Sequence, residues 1–95
     1  MSEIIDAAVV ALSEKVQGFD DGVAKFVVTG EGAIMVDANG VRAGDETADV
    51  TLTADAETFK AILDGDLNPT AAFMSGKLTV DGSMGLAMQL GAALG

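Results

Sequence analysis

The 95 residues of this chain can build one hydrophobic core but not two. A net charge of −10, from 15 acidic against 5 basic side chains, excludes nucleic acid as a partner and leaves at most transient contact with a membrane surface. With no His and no Cys, the Ser–His–acid and Cys–His nucleophiles, thiolate metal sites and disulfides are excluded as well.

The first apolar stripe falls at Ile4, Ile5, Ala8, Val9, Leu12 and Val16, opposed by Glu3, Asp6, Ser13 and Glu14. That spacing predicts a helix over 2–16, with Gly18 as its stop. The rhythm then shortens to two. Phe26 and Val28 alternate with Lys25, Val27 and Thr29, and after the Gly30-Glu31-Gly32 turn Ile34 and Val36 alternate with Met35 and Asp37. Asn39-Gly40 signals a two-residue hairpin loop, because both positions tolerate positive φ, followed by a short strand at Val41-Arg42-Ala43. A further strand over 48–53 points Val50 and Leu52 one way, Thr51 and Thr53 the other.

Asp55 is placed to cap a helix carrying Phe59, Ile62 and Leu63, which ends at Asp64-Gly65. Asn68-Pro69 opens a second short helix with Ala72, Phe73 and Met74, stopping at Gly76. Residues 77–81 read as the last strand, with Leu78 and Val80 inward, and Ser83 caps a final helix to about Leu94. No linker or repeat divides the chain, so residues 1–95 are expected to form a single domain. The expected class is α+β, an antiparallel sheet with one apolar face covered by one layer of helices.

The final helix is the most informative element. Met84 and Met88 share one face, Leu86, Leu90 and Leu94 nearly the opposite one, and Gln89 is its only strongly polar side chain. A helix apolar all round requires cover all round, yet about 12 residues are too few to span a membrane. Two arrangements satisfy this spacing: a helix sandwiched in the core, or a loosely held lid over a cavity. The five Met residues of the chain, with their many rotamers, suit an adaptable lining.

Motifs for chemistry fail in detail. Asp64-Gly65-Asp66-Leu67-Asn68 opens like a calcium loop, but Pro69 stands where Gly is required and Ser75 where Glu is required. Gly76-Lys77 is followed by Leu78 instead of Ser or Thr, and Gly30-Glu31-Gly32 reaches Met35 where a dinucleotide fingerprint needs its third Gly. The chain is therefore expected to be no enzyme, without cofactor or metal.

From Phe59 onward a longer pattern emerges. Phe59-Lys60-Ala61-Ile62-Leu63-Asp64-Gly65, then Asn68-Pro69 through Ala72-Phe73 to Gly76-Lys77-Leu78, then Gly82-Ser83-Met84-Gly85-Leu86-Ala87-Met88 resemble the type-2 sterol carrier protein domain. The upstream helix and strands agree in order and spacing, so the resemblance covers essentially the whole chain. It implies a five-stranded, mainly antiparallel sheet covered on one face by helices, with an apolar tunnel between the layers. It also implies non-catalytic binding or transfer of a fatty acid, phospholipid or sterol-like ligand.

Residue by residue, Met84 to Met88 correspond to the cavity-closing helix, and Phe59 and Phe73 to aromatics of the wall. Strand alternation adds Ile34, Val36, Val50, Leu52, Leu78 and Val80 as the floor, and Ile62, Met74, Leu86 and Leu90 complete the expected lining. The acidic surface disfavours acyl-CoA. No peroxisomal targeting tripeptide follows Leu94-Gly95, which leads to the expectation of a cytoplasmic, monomeric carrier. A reading from a different class is an accessory module that presents a lipid intermediate to a biosynthetic enzyme.

Overall fold

A computed structural model describes residues 3–16, 19–20 and 22–94. Along the described chain lie helix α1 (Glu3–Lys15), strands β1 (Ala24–Val28), β2 (Gly32–Asp37), β3 (Gly40–Ala43) and β4 (Val50–Ala54), helices α2 (Ala56–Leu63) and α3 (Pro69–Met74), strand β5 (Thr79–Gly82) and helix α4 (Met84–Leu94). The expected helix stop at Gly18 lies outside the described residues.

The five strands form one sheet in the order β3-β2-β1-β4-β5. The β1–β2, β2–β3 and β4–β5 pairs are antiparallel, whereas β4 returns to the free side of β1 and pairs with it in parallel. The sheet is therefore mixed, mostly antiparallel. Its register aligns the apolar set of every strand. Ala43, Ile34, Phe26, Leu52 and Val80 form one row across the sheet, and Val41, Val36, Ala24 and Val50 form the next. A slip by one residue would turn each of these side chains to the other face.

The helices all lie on that apolar face, and they divide it. Helix α1 packs on β2 and β3 through Ile5, Ala8 and Leu12, while α4 packs on β4 and β5 and touches α3. Leu12, Phe26, Ile34, Val36, Val50 and Leu90 are fully or almost fully buried and form the centre of the core.

Local signals act where they were expected. The Asp55 carboxylate accepts from the Thr58 backbone N–H at 2.7 Å, and the Asn68 Oδ1 accepts from Thr70 N–H at 2.8 Å with Pro69 at the first helical position. The Ser83 Oγ accepts from Leu86 N–H at 3.3 Å. The β2–β3 turn departs from the expectation. Asp37 pairs with Gly40, so the two loop residues are Ala38 and Asn39, and only Gly40 has positive φ, at 115°. Asn39 instead donates its backbone N–H to Asp37 Oδ1 at 2.9 Å, which holds the turn without a left-handed Asn.

The opposite face of the sheet holds a second departure. Met35, placed by alternation among the outward residues, is completely buried. It lies between Lys25 and Arg42 in the register, beneath the segment that follows β3. Lys25 Nζ meets Asp45 at 2.9 Å, and Arg42 meets Asp37 at 3.0 Å and Glu46 at 3.7 Å. These pairs draw that segment across the methionine.

Candidate functional site

Between the β1–β4–β5 part of the sheet and helices α2, α3 and α4 lies a cavity of about 530 Å³. That volume falls within the roughly 300–1,000 Å³ of small-molecule sites. Phe26, Leu52 and Val80, neighbours in one row of the sheet, form its floor together with Leu78. Phe59 and Ile62 of α2 wall one side, and Pro69, Phe73 and Met74 of α3 wall another. The Phe26 and Phe59 rings meet edge to face, with centroids 5.2 Å apart, where the floor joins the α2 wall.

Helix α4 is the roof, and its sequence explains why the space stays empty. Met84, Ala87, Met88, Gly91 and Ala92 lie at i, i+3, i+4, i+7 and i+8, one continuous stripe along the cavity, with Leu94 at its far end. Three of those five residues are Gly or Ala, too short to fill the gap. The two Met side chains reach the edge instead. Phe73, Met74, Met84 and Met88 are all exposed, Met74 by 81% and Met88 by 73%, so the cavity opens between α3 and α4 with an apolar rim. A helix expected to need cover all round is thus left uncovered on its Met face.

Nine of the fourteen expected lining residues surround the cavity: Leu52, Phe59, Ile62, Phe73, Met74, Leu78, Val80, Met84 and Met88. Five do not. Ile34 and Val36 lie on β2, beneath the α1 half of the cover, and are fully buried in solid core. Val50 is equally buried, in the sheet row that ends at Gly82. Leu90 is turned from the Met stripe into the core, and Leu86 packs toward Gly22 and Asp49, where an added Gly22 Cβ would meet its Cδ1 at 2.8 Å. Sequence reasoning missed Phe26, Asn68, Pro69, Thr70, Leu94 and the small residues Ala87, Gly91 and Ala92. The last three were detectable from their helical spacing to Met84 and Met88.

The lining is almost wholly apolar. Asn68 and Thr70 are its polar side chains, and none of its residues is charged. Among the described residues no buried side-chain polar atom lacks a partner, and no cluster of carboxylates could hold a metal ion. Among the described residues, the two carboxyls displaced from their ordinary behaviour belong to a turn and a cap and do not line the cavity. Asp37 is held below the usual carboxylate range by the Asn39 backbone N–H and then by Arg42. Asp55 is held below it by the Thr58 backbone N–H, then the Thr58 hydroxyl, with Lys77 adding attraction. Among the described residues, no helix is long and apolar enough to cross a membrane.

A sheet carrying a helix-roofed, apolar cavity is the architecture of small lipid-binding domains, and the comparisons are specific. The profile of the SCP-2 sterol transfer family matches residues 3–95, and the chain belongs to that family. It is 38% identical over 98 residues to hydroxysteroid dehydrogenase-like protein 2 of Danio rerio, covering 95% of this chain and 24% of that protein. The chain thus spans about a quarter of the length of this longer relative. The fold is similar to that of sterol carrier protein 2 from Aedes aegypti in complex with the C16 fatty acid palmitate, with TM-score 0.77, 24% identity and coverage of 99% and 96% of the two chains. Palmitated SCP2L2 from the same species gives TM-score 0.70 at 27% identity, covering 99% and 95%.

Proposed function

We propose that this chain binds a lipid with a long hydrocarbon tail in the cavity beneath α4 and carries it without covalent chemistry. The observation that carries the reading is the open, uncharged space of about 530 Å³ lined by Phe, Leu, Ile, Val and Met side chains. Lipid binding is a property of the family, and palmitate-bound relatives share the fold. The non-catalytic part rests on the lining itself, which offers one hydroxyl-bearing residue, Thr70, and no carboxylate or amine to activate it.

Removal of apolar area from water supplies the binding energy. Each buried methylene contributes about 0.8 kcal/mol, equivalent to about fourfold in affinity. Apolar walls discriminate weakly between related tails, so the carrier accepts several chain lengths. Exchange passes through the α3–α4 mouth, where movable Met side chains and a Gly-containing roof need to shift least. The proposed carrier is monomeric and cytoplasmic; its net charge of −10 favours mutual repulsion of copies.

The test is a competition series with saturated single-chain lipids from about eight to eighteen carbons, read by displacement of the uncharged dye Nile red and by native mass spectrometry. Affinity is expected to climb with each methylene and then level off once the cavity is full. Failure of the dye and of every lipid to bind would overturn the proposal.

A second reading, presentation of the bound lipid to an enzyme, is favoured by one observation: the Danio rerio relative carries the matching stretch as about a quarter of a much longer chain named for a dehydrogenase. In that reading the tail stays under α4 while the headgroup is offered at the apolar rim to a partner supplied separately.

A further inference from the structure

We infer that the cavity selects lipids with uncharged headgroups, such as fatty alcohols and monoacylglycerols, over fatty-acid anions and acyl-CoA; this inference rests on the lipid-binding reading above. None of the five cations of the chain lines the cavity. Lys25 is paired with Asp45 and Arg42 with Asp37 and Glu46, on the face of the sheet opposite the cavity. Lys15 ends α1, on the solid half of the cover. Lys60 and Lys77 belong to the cavity half, but neither lines the space. A carboxylate or phosphate therefore finds no cation in the lining to replace the water it gives up.

It also approaches a strongly acidic protein. Residues 55–94 hold Asp55, Glu57, Asp64, Asp66 and Asp81 against two lysines, and the whole chain carries −10. The summed field thus opposes an anion both at the mouth and during approach. A neutral headgroup escapes this cost.

The polar groups that are present suit such a headgroup. Asn68 uses its Oδ1 to accept from Thr70 and Ala71 N–H, which leaves its amide NH₂ as a donor at the edge of the cavity. Thr70 also belongs to the lining, and its hydroxyl can both donate and accept. Together they match an alcohol or an ester carbonyl. They supply two neutral hydrogen bonds and no charge.

The experiment uses four probes with the same twelve-carbon tail: dodecanol, 1-monolauroylglycerol, laurate and lauroyl-CoA. Each displaces Nile red from the whole chain at pH 8, at low and at high salt and below its micelle concentration. The two neutral lipids are expected to compete at concentrations lower than laurate by about tenfold at low salt, lauroyl-CoA more weakly still, and the gap to narrow as salt screens the field. Gln89→Lys, at an exposed α4 position beside Met88 and outside the lining, is expected to strengthen laurate binding about fivefold and leave dodecanol within about twofold. Equal or tighter binding of laurate or lauroyl-CoA to the unaltered chain, with no response to salt, overturns the inference while leaving the lipid site in place. Failure of all four probes together with the dye instead removes the lipid site itself.

Discussion

The two halves of the helical cover have been put to opposite uses. Over β2 and β3, α1 contributes Ile5, Ala8 and Leu12, and Ile34 and Val36 of β2 beneath this half are completely buried. Over β1, β4 and β5, α4 contributes Met, Ala and Gly, and a cavity of about 530 Å³ remains. The sheet beneath is continuous, and one row of side chains runs from Ile34 in the solid half through Phe26 to Leu52 and Val80 in the hollow half. The difference therefore comes from the covering side chains and not from the floor. The cavity of the proposed site lies on the side where the cover is thin.

Substitutions on either side can break this division. The largest effect is expected from Leu12→Ala, which would empty a completely buried site in the close-packed half. It should cost about 3 kcal/mol in a denaturant titration, whereas Met88→Ala on the exposed rim should stay within about 0.5 kcal/mol. Comparable costs for both would abolish the contrast between the halves.

Gly82→Ala comes next, because Gly82 closes β5 with φ at 102° and an added Cβ would overlap the Asp49 carbonyl oxygen and lie 3.0 Å from Val50 Cα. A loss of about 2 kcal/mol is expected, since backbone cannot move aside as a flexible side chain can. Thermal melting of the variant checks it.

Gly91→Leu sharpens the functional side. A Cβ at Gly91 meets only Pro69 Cβ, at 3.9 Å, so a side chain can enter the gap between α4 and α3 without a clash at its base. Lipid affinity should fall by roughly tenfold or more while the melting temperature holds or rises, because a filled cavity and a better helix former both favour the fold. Unchanged lipid binding would place the ligand elsewhere.

Gly85→Ala is a smaller change. The nearest atom to its added Cβ is Ser83 Oγ at 3.9 Å, so close packing does not require glycine there. It should stabilise the roof by about 0.5 kcal/mol, and hydrogen exchange along α4 should slow.

The smallest expected effect concerns acid. The Asp55 carboxyl is held below the usual carboxylate range, first by the Thr58 backbone N–H, so its contribution is present above the ordinary carboxylate value and is lost as pH falls through that range and below it. Asp55→Asn keeps an oxygen acceptor at the cap and removes the titration. Its melting temperature should fall slightly less steeply below about pH 4 than that of the unaltered chain. An identical acid slope would separate the cap from the acid response.

Much of this arrangement was readable before any coordinates. Caps at Asp55, Asn68 and Ser83 act within three residues of themselves, and the strand alternation of Phe26, Ile34 and Leu52 expresses a period that the pleat must obey. The hairpin at Asn39-Gly40 was recognisable in kind but displaced by one residue, because the Asp37 side chain takes up the Asn39 N–H and leaves Gly40 alone with positive φ. The lining was harder. Alternation says that Ile34, Val36, Val50 and Leu52 point the same way, and only the position of α1 decides that the first two meet solid core while Leu52 meets a cavity.

Sequence alone thus determined the elements, their caps and the side of the sheet that turns from water, since these depend on neighbours a few residues away and on the distribution of apolar side chains. Tertiary structure alone decided which apolar face of α4 enters the core and which roofs the cavity. It likewise decided that Met35 is buried beneath a segment drawn down by Lys25 and Arg42. Both outcomes depend on contacts between distant parts of the chain, and a periodic pattern shows that a face is apolar without showing what will lie against it.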